Sequence, residues 1–315
     1  MIFLNACAGV FTVFLIALLG FFLARRGLVP QSTAKILPRM VTTIVLPPYL
    51  LRNITATFQR DELVSLLSGA VIPFLSIFFA FVLAWVLSKA LKVKRGRAGI
   101  FRTSFATSSA MNIGLPINIA LFGEAAMPYL LLYFFANVIG FWTIGNYSLA
   151  HDGESADVKL FSFATLKQIC SPPLIGFILG LVLVFLDIRL PVFLDKAFKY
   201  VGDMTVGLVM IYIGIMLSEI RLSDCRLERD VLVVFAGRFV ISPLCVLLLS
   251  LAFPIPPLMR NVFLIQASLP VMQNVAILSA YYKADVKFAT VVTSFSTILS
   301  LITIPLYMVF IGYFL

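Results

Sequence analysis

The sequence predicts an all-α membrane protein: ten transmembrane helices in a five-plus-five inverted repeat, with broken helices four and nine crossing each other. Three observations lead to this. Of 315 residues, 61% are hydrophobic and only 12% charged, with a mean hydropathy of +1.06, whereas a soluble domain has about a quarter of its residues charged. The charges are gathered between long uncharged windows. Two of those windows carry proline, glycine and side-chain amides near their middles.

A spanning helix needs roughly 20 apolar residues. Uncharged windows place spans at 2–24, 36–57, 63–88, 99–122, 125–149, 168–187, 200–219, 231–253, 258–282 and 288–313. The first runs without charge to Arg25-Arg26; a cleavable signal has its basic residues before the apolar core, so this segment reads as a spanning helix. In the second, Pro47-Pro48 predict a bend. The charge-free cores between Arg39 and Arg52, and between Asp203 and Glu219, are short. Those two helices must carry charges near their ends or face protein. The fifth span places Asn137 at mid-membrane, where it either completes a site or ties helices together. Arg238 stands eight residues inside the eighth span; of its two readings, attracting an anion or snorkelling to the cytoplasmic face, the second is expected. Arg102 and Arg260 read as interfacial anchors.

Basic residues orient the spans. With the N-terminus outside, the cytoplasmic connections collect Arg25, Arg26, Lys35, Lys89, Lys92, Lys94, Arg95, Arg97, Lys159, Lys167, Arg221, Arg226, Arg229, Lys283 and Lys287. The outer connections hold only Arg52, Arg60, Arg189, Lys196, Lys199 and Arg260. Both termini are therefore predicted outside. The polar stretch HDGESADVKL from His151 divides the chain into a first repeat, 1–150, a cytoplasmic connection, 151–166, and a second repeat, 167–315. An odd number of spans per half turns the halves upside down relative to each other. DELVSLLSGAVIPF from Asp61 resembles DVLVVFAGRFVISPL from Asp230. The polar cluster after Phe101-Arg102 is echoed by the one after Met259-Arg260.

The chemistry sits in the two interrupted spans. TSSAMNIGLPINIALFG, from Thr107, contains Asn112, Gly114, Pro116 and Asn118; SLPVMQN, from Ser268, contains Pro270, Gln273 and Asn274. Proline lacks an amide hydrogen and clashes one turn back, and a break in hydrocarbon is tolerated only where it is buried or lines a cavity. Breaks at matching places in two inverted halves point to a transporter's binding site. Freed half-helix ends offer partial charges of both signs, and amides donate to a carboxylate without burying a full charge. The predicted substrate contacts are Asn112, Gly114, Pro116, Asn137, Pro270, Gln273 and Asn274, with Asp203 as a candidate for proton coupling. The ligand expected is a small organic anion.

Other classes fall away. The net charge of +10 lies between spans and not in an aromatic-interleaved patch, which argues against nucleic acid. Cys7, Cys170, Cys225 and Cys245 show no metal or disulfide spacing and His151 is the sole histidine, so no metal or cofactor is expected. Ser108 and Ser109 have no His or Lys partner in any span, which argues against an intramembrane enzyme. A transporter-like ligand sensor and a sodium-coupled organic anion symporter are the alternatives.

MNIGLPINIALFGEAAMPYLLLYFFANVIGFWTIGNYSL, ASLPVMQNVAILSAYYKAD and VGDMTVGLVMIYIGIML resemble the fourth-to-fifth, ninth and seventh helices of the auxin efflux carrier family, and the similarity covers essentially the whole chain. The short central connection suits the bacterial branch, and with it the inner membrane. The resemblance implies the fold of the bile-acid/sodium symporters. Helices one, two, six and seven would form a scaffold through which two copies dimerise, and the others a transport domain moving like an elevator. It also implies organic anion substrates, auxin-like or malate-like carboxylates. Asn112, Gly114, Pro116, Pro270 and Asn274 match its crossover motifs. NIGLP is compressed relative to that motif. The acidic residue and polar ring that hold sodium in the bile-acid symporters are not evident, so transport without sodium is expected.

Overall fold

The computed structural model describes residues 2–30, 33–57, 69–152, 169–170, 172–219 and 228–314. The start of the third predicted span and nearly all of the predicted central connection lie outside the described residues. Every element described is helical, apart from one isolated bridge between Ser108 and Val271. In chain order the helices are α1 (Ile2–Arg25), α2 (Thr33–Met40), α3 (Leu46–Thr57), α4 (Val71–Ala90), α5 (Ala98–Ala106), α6 (Gly114–Phe122), α7 (Met127–Gly140), α8 (Asn146–Asp152), α9 (Pro172–Phe185), α10 (Val192–Glu219), α11 (Arg229–Ala236), α12 (Ser242–Ala252), α13 (Pro257–Ala267), α14 (Asn274–Tyr281) and α15 (Val286–Phe314).

Widened π turns at Val41–Val45, Phe141–Gly145 and Gly237–Ile241 join α2 to α3, α7 to α8 and α11 to α12. The first and last stand just before Pro47-Pro48 and Pro243, whose missing amides cannot close an ordinary turn. With those joins counted, five described stretches are long and apolar enough to cross a membrane: Val71–Ala90, Glu124–Asp152, Val192–Ser218, Arg229–Ala252 and Val286–Gly312. The seventh predicted span gains its length by running back through Asp203, Lys199 and Asp195 to Val192. Fourth and ninth spans are each two short helices.

The chain packs into two compact units. The first comprises residues 1–68, 112–131 and 170–220. Within it α1 lies along α10 and α9 along α3. The approach is so close that a Cβ on Gly20 would land on the Ile211 carbonyl, one on Gly214 on the Ala17 carbonyl and one on Gly176 on the Pro47 carbonyl. Small residues at helix contacts are how membrane helices gain packing without a hydrophobic drive. Arg52 pairs with Asp195 at 3.0 Å, tying α3 to the first turn of α10.

The second unit comprises residues 69–111, 132–169 and 221–315. Its α4 is inside out relative to a soluble helix. Phe74, Phe78, Phe79, Val82, Trp85 and Val86 are exposed, while Ser76 and Ser88 are buried. An outward apolar stripe of this size belongs against lipid. Lys89 lies 3.8 Å over the Trp85 ring at the end of that stripe, as side chains do at a membrane interface. Arg102, the predicted anchor, donates to Ser88 at 2.8 Å.

One polar staple holds the loop ends of this unit. Arg97, ahead of α5, donates to Asp285 at 2.5 Å and to Glu228, and stacks 5.1 Å from the Phe288 ring. Asp285 also accepts from the Phe288 amide at 3.0 Å, capping α15. Burial pushes the Asp285 carboxyl up, but the Phe288 amide and the Arg97 guanidinium outweigh it and hold the group below the usual carboxylate range. A carboxyl held low by folding contributes stability above its unfolded value of about 3.9, and that contribution drains away as pH falls below it. Arg97→Ala should lower stability at neutral pH by roughly 1–2 kcal/mol, and its thermal midpoint should converge on the wild type's below about pH 4. A gap that persists unchanged into acid would mean that charge contributes nothing to this staple.

Candidate functional site

The two broken spans place their prolines differently. In the fourth, α5 stops at Ala106, residues 107–113 leave the helix, and α6 begins at Gly114. Pro116 falls in the first turn of α6, where a missing amide costs nothing. In the ninth, α13 stops at Ala267, Pro270 sits in the extended part, and α14 begins at Asn274.

Within the second unit the two interruptions pair. Ser108 and Val271 form an antiparallel bridge, and the Ser109 amide donates to the Pro270 carbonyl at 2.8 Å. Backbone freed from a helix in an apolar interior must find partners, and side chains from neighbouring helices supply most of them. Asn137 on α7 accepts from the Ser108 amide and donates to the Ser108 carbonyl, both at 2.9 Å, like the edge of a further strand. Ser296 on α15 accepts from the Val271 amide at 3.1 Å, and Gln266 donates to the Ala110 carbonyl at 3.2 Å. Arg238, in the π turn Gly237–Ile241, donates to the Phe105 carbonyl at 3.3 Å and to the Ala267 carbonyl. Ser242 adds a contact to Phe105 at 3.3 Å.

Some polar atoms here are left over. The hydroxyls of Ser108 and Ser109, the carbonyl oxygen of Gln266 and the Nε of Arg238 are buried without a hydrogen-bond partner. The crossing therefore combines a satisfied backbone with unmatched hydroxyls, flanked by the C-terminal ends of α5 and α13 and the N-terminal start of α14. Such an arrangement is able to receive a small polar guest, with hydroxyl donors and partial charges of both signs.

The sequence-predicted residues divide between the units. Asn137, Pro270, Gln273 and Asn274 belong to the second, where Asn137 and Pro270 bracket the paired segments; Gln273 is buried and Asn274, first residue of α14, half-buried. Asn112, Gly114 and Pro116 belong to the first, Asn112 half-buried and the other two buried. There too Asn118 donates to the Gly114 carbonyl at 2.8 Å, closing the first turn of α6. Asp203 lies on an exposed face of α10, paired with Lys199 at 2.9 Å.

Arg238 departs from expectation. It does not snorkel: it is 0% exposed, held by two main-chain carbonyls. The neighbouring glycine explains its reach, since a Cβ on Gly237 would collide with the Phe105 ring. Gln266 and Ser296 escaped the sequence reading altogether. The available signal for Gln266 was an uncharged hydrogen-bonding side chain in an apolar run just before the second interruption.

Comparison with known proteins bears on the whole chain. A family model described as membrane transport protein matches residues 6–308. An uncharacterized transporter of Methanocaldococcus jannaschii is 27% identical over 303 residues, covering 95% of this chain and 96% of the relative. An uncharacterized transporter of Methanothermobacter thermautotrophicus is 23% identical over 312 residues, covering 98% and 99%. With lipid-facing helices and a matching model from end to end, the chain belongs to the membrane transport protein family, which is the auxin efflux carrier family.

Proposed function

We propose that the protein is a carrier for small organic anions, auxin-like or malate-like carboxylates, working by alternating access around the crossing of its fourth and ninth spans. The observation that carries this reading is the pairing of two interrupted helices beside buried, unmatched serine hydroxyls. A carboxylate answers such donors, and a closed crossing suits a bound guest better than a continuous pore.

In this reading the chain spans the cell membrane ten times as an inverted repeat, with both termini outside. Helices one, two, six and seven form a scaffold that dimerises, and the transport domain slides against it as an elevator. The grouping of α1, α2, α3, α9 and α10 in one compact unit supports the scaffold, although α6 of the fourth span belongs to that unit as well. Substrate contacts come from Ser108, Ser109, Gln273 and Asn274, with Asn112, Gly114 and Pro116 entering on sequence grounds. Asn137 acts by holding the crossing in shape. Because Asp203 sits in an exposed ion pair, the inside-negative potential is the favoured drive. It supplies about 2.3 kcal/mol per charge per 100 mV for export of a monoanion.

The test is transport of radiolabelled malate and indole-3-acetate in vesicles containing purified protein. Asn112→Ala and Asn274→Ala should each slow transport about tenfold or more, the equivalent of one hydrogen bond to a charged group at about 1.5–3 kcal/mol, while remaining folded. If wild-type protein moves neither carboxylate, the substrate class is wrong; if both variants transport normally, the site is.

A further inference from the structure

Arg238 carries a full charge to the interior of the second unit, where among the described residues it meets the Tyr133 hydroxyl but no carboxylate. Among the described residues its guanidinium is in no ion pair, although it is 0% exposed. Arginine does not escape such a site by losing its proton. An unpaired buried cation is among the most expensive groups a membrane protein can hold, so what it touches must compensate it.

It touches the ends of two helix dipoles. Phe105 lies in the last turn of α5 and Ala267 is the last residue of α13, and the carbonyls of both accept from the guanidinium. Each helix C-terminus carries about half a negative charge, so two meeting ends present about one negative charge, which one guanidinium balances. Its planar fork suits two acceptors on separate segments, as a compact ammonium does not. Gly237 and the π turn, both described above, let α11 and α12 come close enough for the fork to arrive. Where half-helix C-termini meet in other transporter folds, the carbonyls coordinate a mobile sodium ion or proton.

We infer that Arg238 is a covalently built-in cation, standing at the paired C-terminal ends of α5 and α13 in place of a mobile coupling ion. The wild-type protein thus needs no monovalent cation to assemble its crossing, and a variant without the guanidinium acquires such a need. This deepens the carrier reading and rests on it for the words "coupling ion". The structural claim, a fixed cation at two helix ends, is testable without any transport.

The experiment compares thermal unfolding of purified wild type, Arg238→Ala, Arg238→Gln and Arg238→Lys at matched ionic strength in choline, sodium, potassium or dilute, non-denaturing guanidinium chloride. Wild type should unfold at the same temperature in all four. Arg238→Ala should unfold several degrees lower in choline and regain most of the loss in guanidinium, which refills the space between the two carbonyls. Arg238→Lys, which keeps the charge, should lie closer to wild type than Arg238→Gln and respond to no added cation. Sodium stabilising wild type specifically would overturn the inference. So would equal midpoints for the lysine and glutamine variants, a comparison that stands even if the alanine variant does not fold. Vesicles in which no carboxylate moves would defeat the carrier reading and leave these midpoints untouched.

Discussion

Asn137→Ala should lower the stability of the second unit by roughly 2–6 kcal/mol and abolish transport, the largest effect expected of any single polar substitution. The side chain answers both backbone groups of Ser108, a residue that is 0% exposed. Removing it strands a buried amide and a buried carbonyl together, each at about 1–3 kcal/mol. The extended segment from Thr107 would then lose its alignment with Val271. Asn137→Asp separates geometry from chemistry: a carboxylate still accepts from the Ser108 amide but has no donor for the carbonyl, and it adds a buried charge. Asn118→Ala is the control, because that amide bonds a carbonyl of its own helix; it should cost less than about 1 kcal/mol. Unfolding midpoints of purified variants read the ranking, and an Asn137→Ala protein as stable as Asn118→Ala would refute it.

Gly214→Leu should disrupt the first unit, and Gly214→Ala should already cost it about 1–3 kcal/mol, the range for overpacking a rigid site. What a Cβ meets there is main chain, the Ala17 carbonyl, and not the movable tip of a side chain. Gly20 has the reciprocal position against Ile211, so Gly20→Ala should behave alike. The double variant should cost less than the sum, because one separation of α1 from α10 relieves both clashes. Gly207, on the same α10, has open space for 4 Å around the point where a Cβ would stand. Gly207→Ala should therefore be neutral or stabilise slightly, since alanine favours a helix by roughly 0.5–1 kcal/mol. Equal midpoints for the alanine variants at 207 and 214 would show that the helices are not in close register.

How much of this was written in the chain depends on the kind of signal. The spans were legible because lipid imposes a length and forbids charge; α4 ends, and α15 begins and ends, within a few residues of the uncharged windows. The seventh span reads short in the sequence because charge sets its limit there. In the fold α10 runs through Asp195, Lys199 and Asp203, where Arg52 and an adjacent turn supply partners. The interruptions were legible from Gly114, Pro116 and Pro270, though not their exact place: Pro270 lies within its break, whereas Pro116 is tolerated in the first turn of α6 and follows its own.

The sequence by itself determined that this is a helical membrane protein with two interrupted spans rich in amides, because hydrophobic length and helix-breaking residues act locally and leave a local trace. Only the tertiary structure decided which polar groups answer which. Asn137 and Ser108 are 29 residues apart in the chain, and Arg238 and Phe105 are 133 apart. Neither partnership leaves a mark on its neighbours. That Arg238 turns inward to two helix ends instead of outward to water follows from the packing of Gly237 on Phe105, a contact no periodicity encodes. Burial penalises a polar group left without a partner, and only the fold says where that partner is.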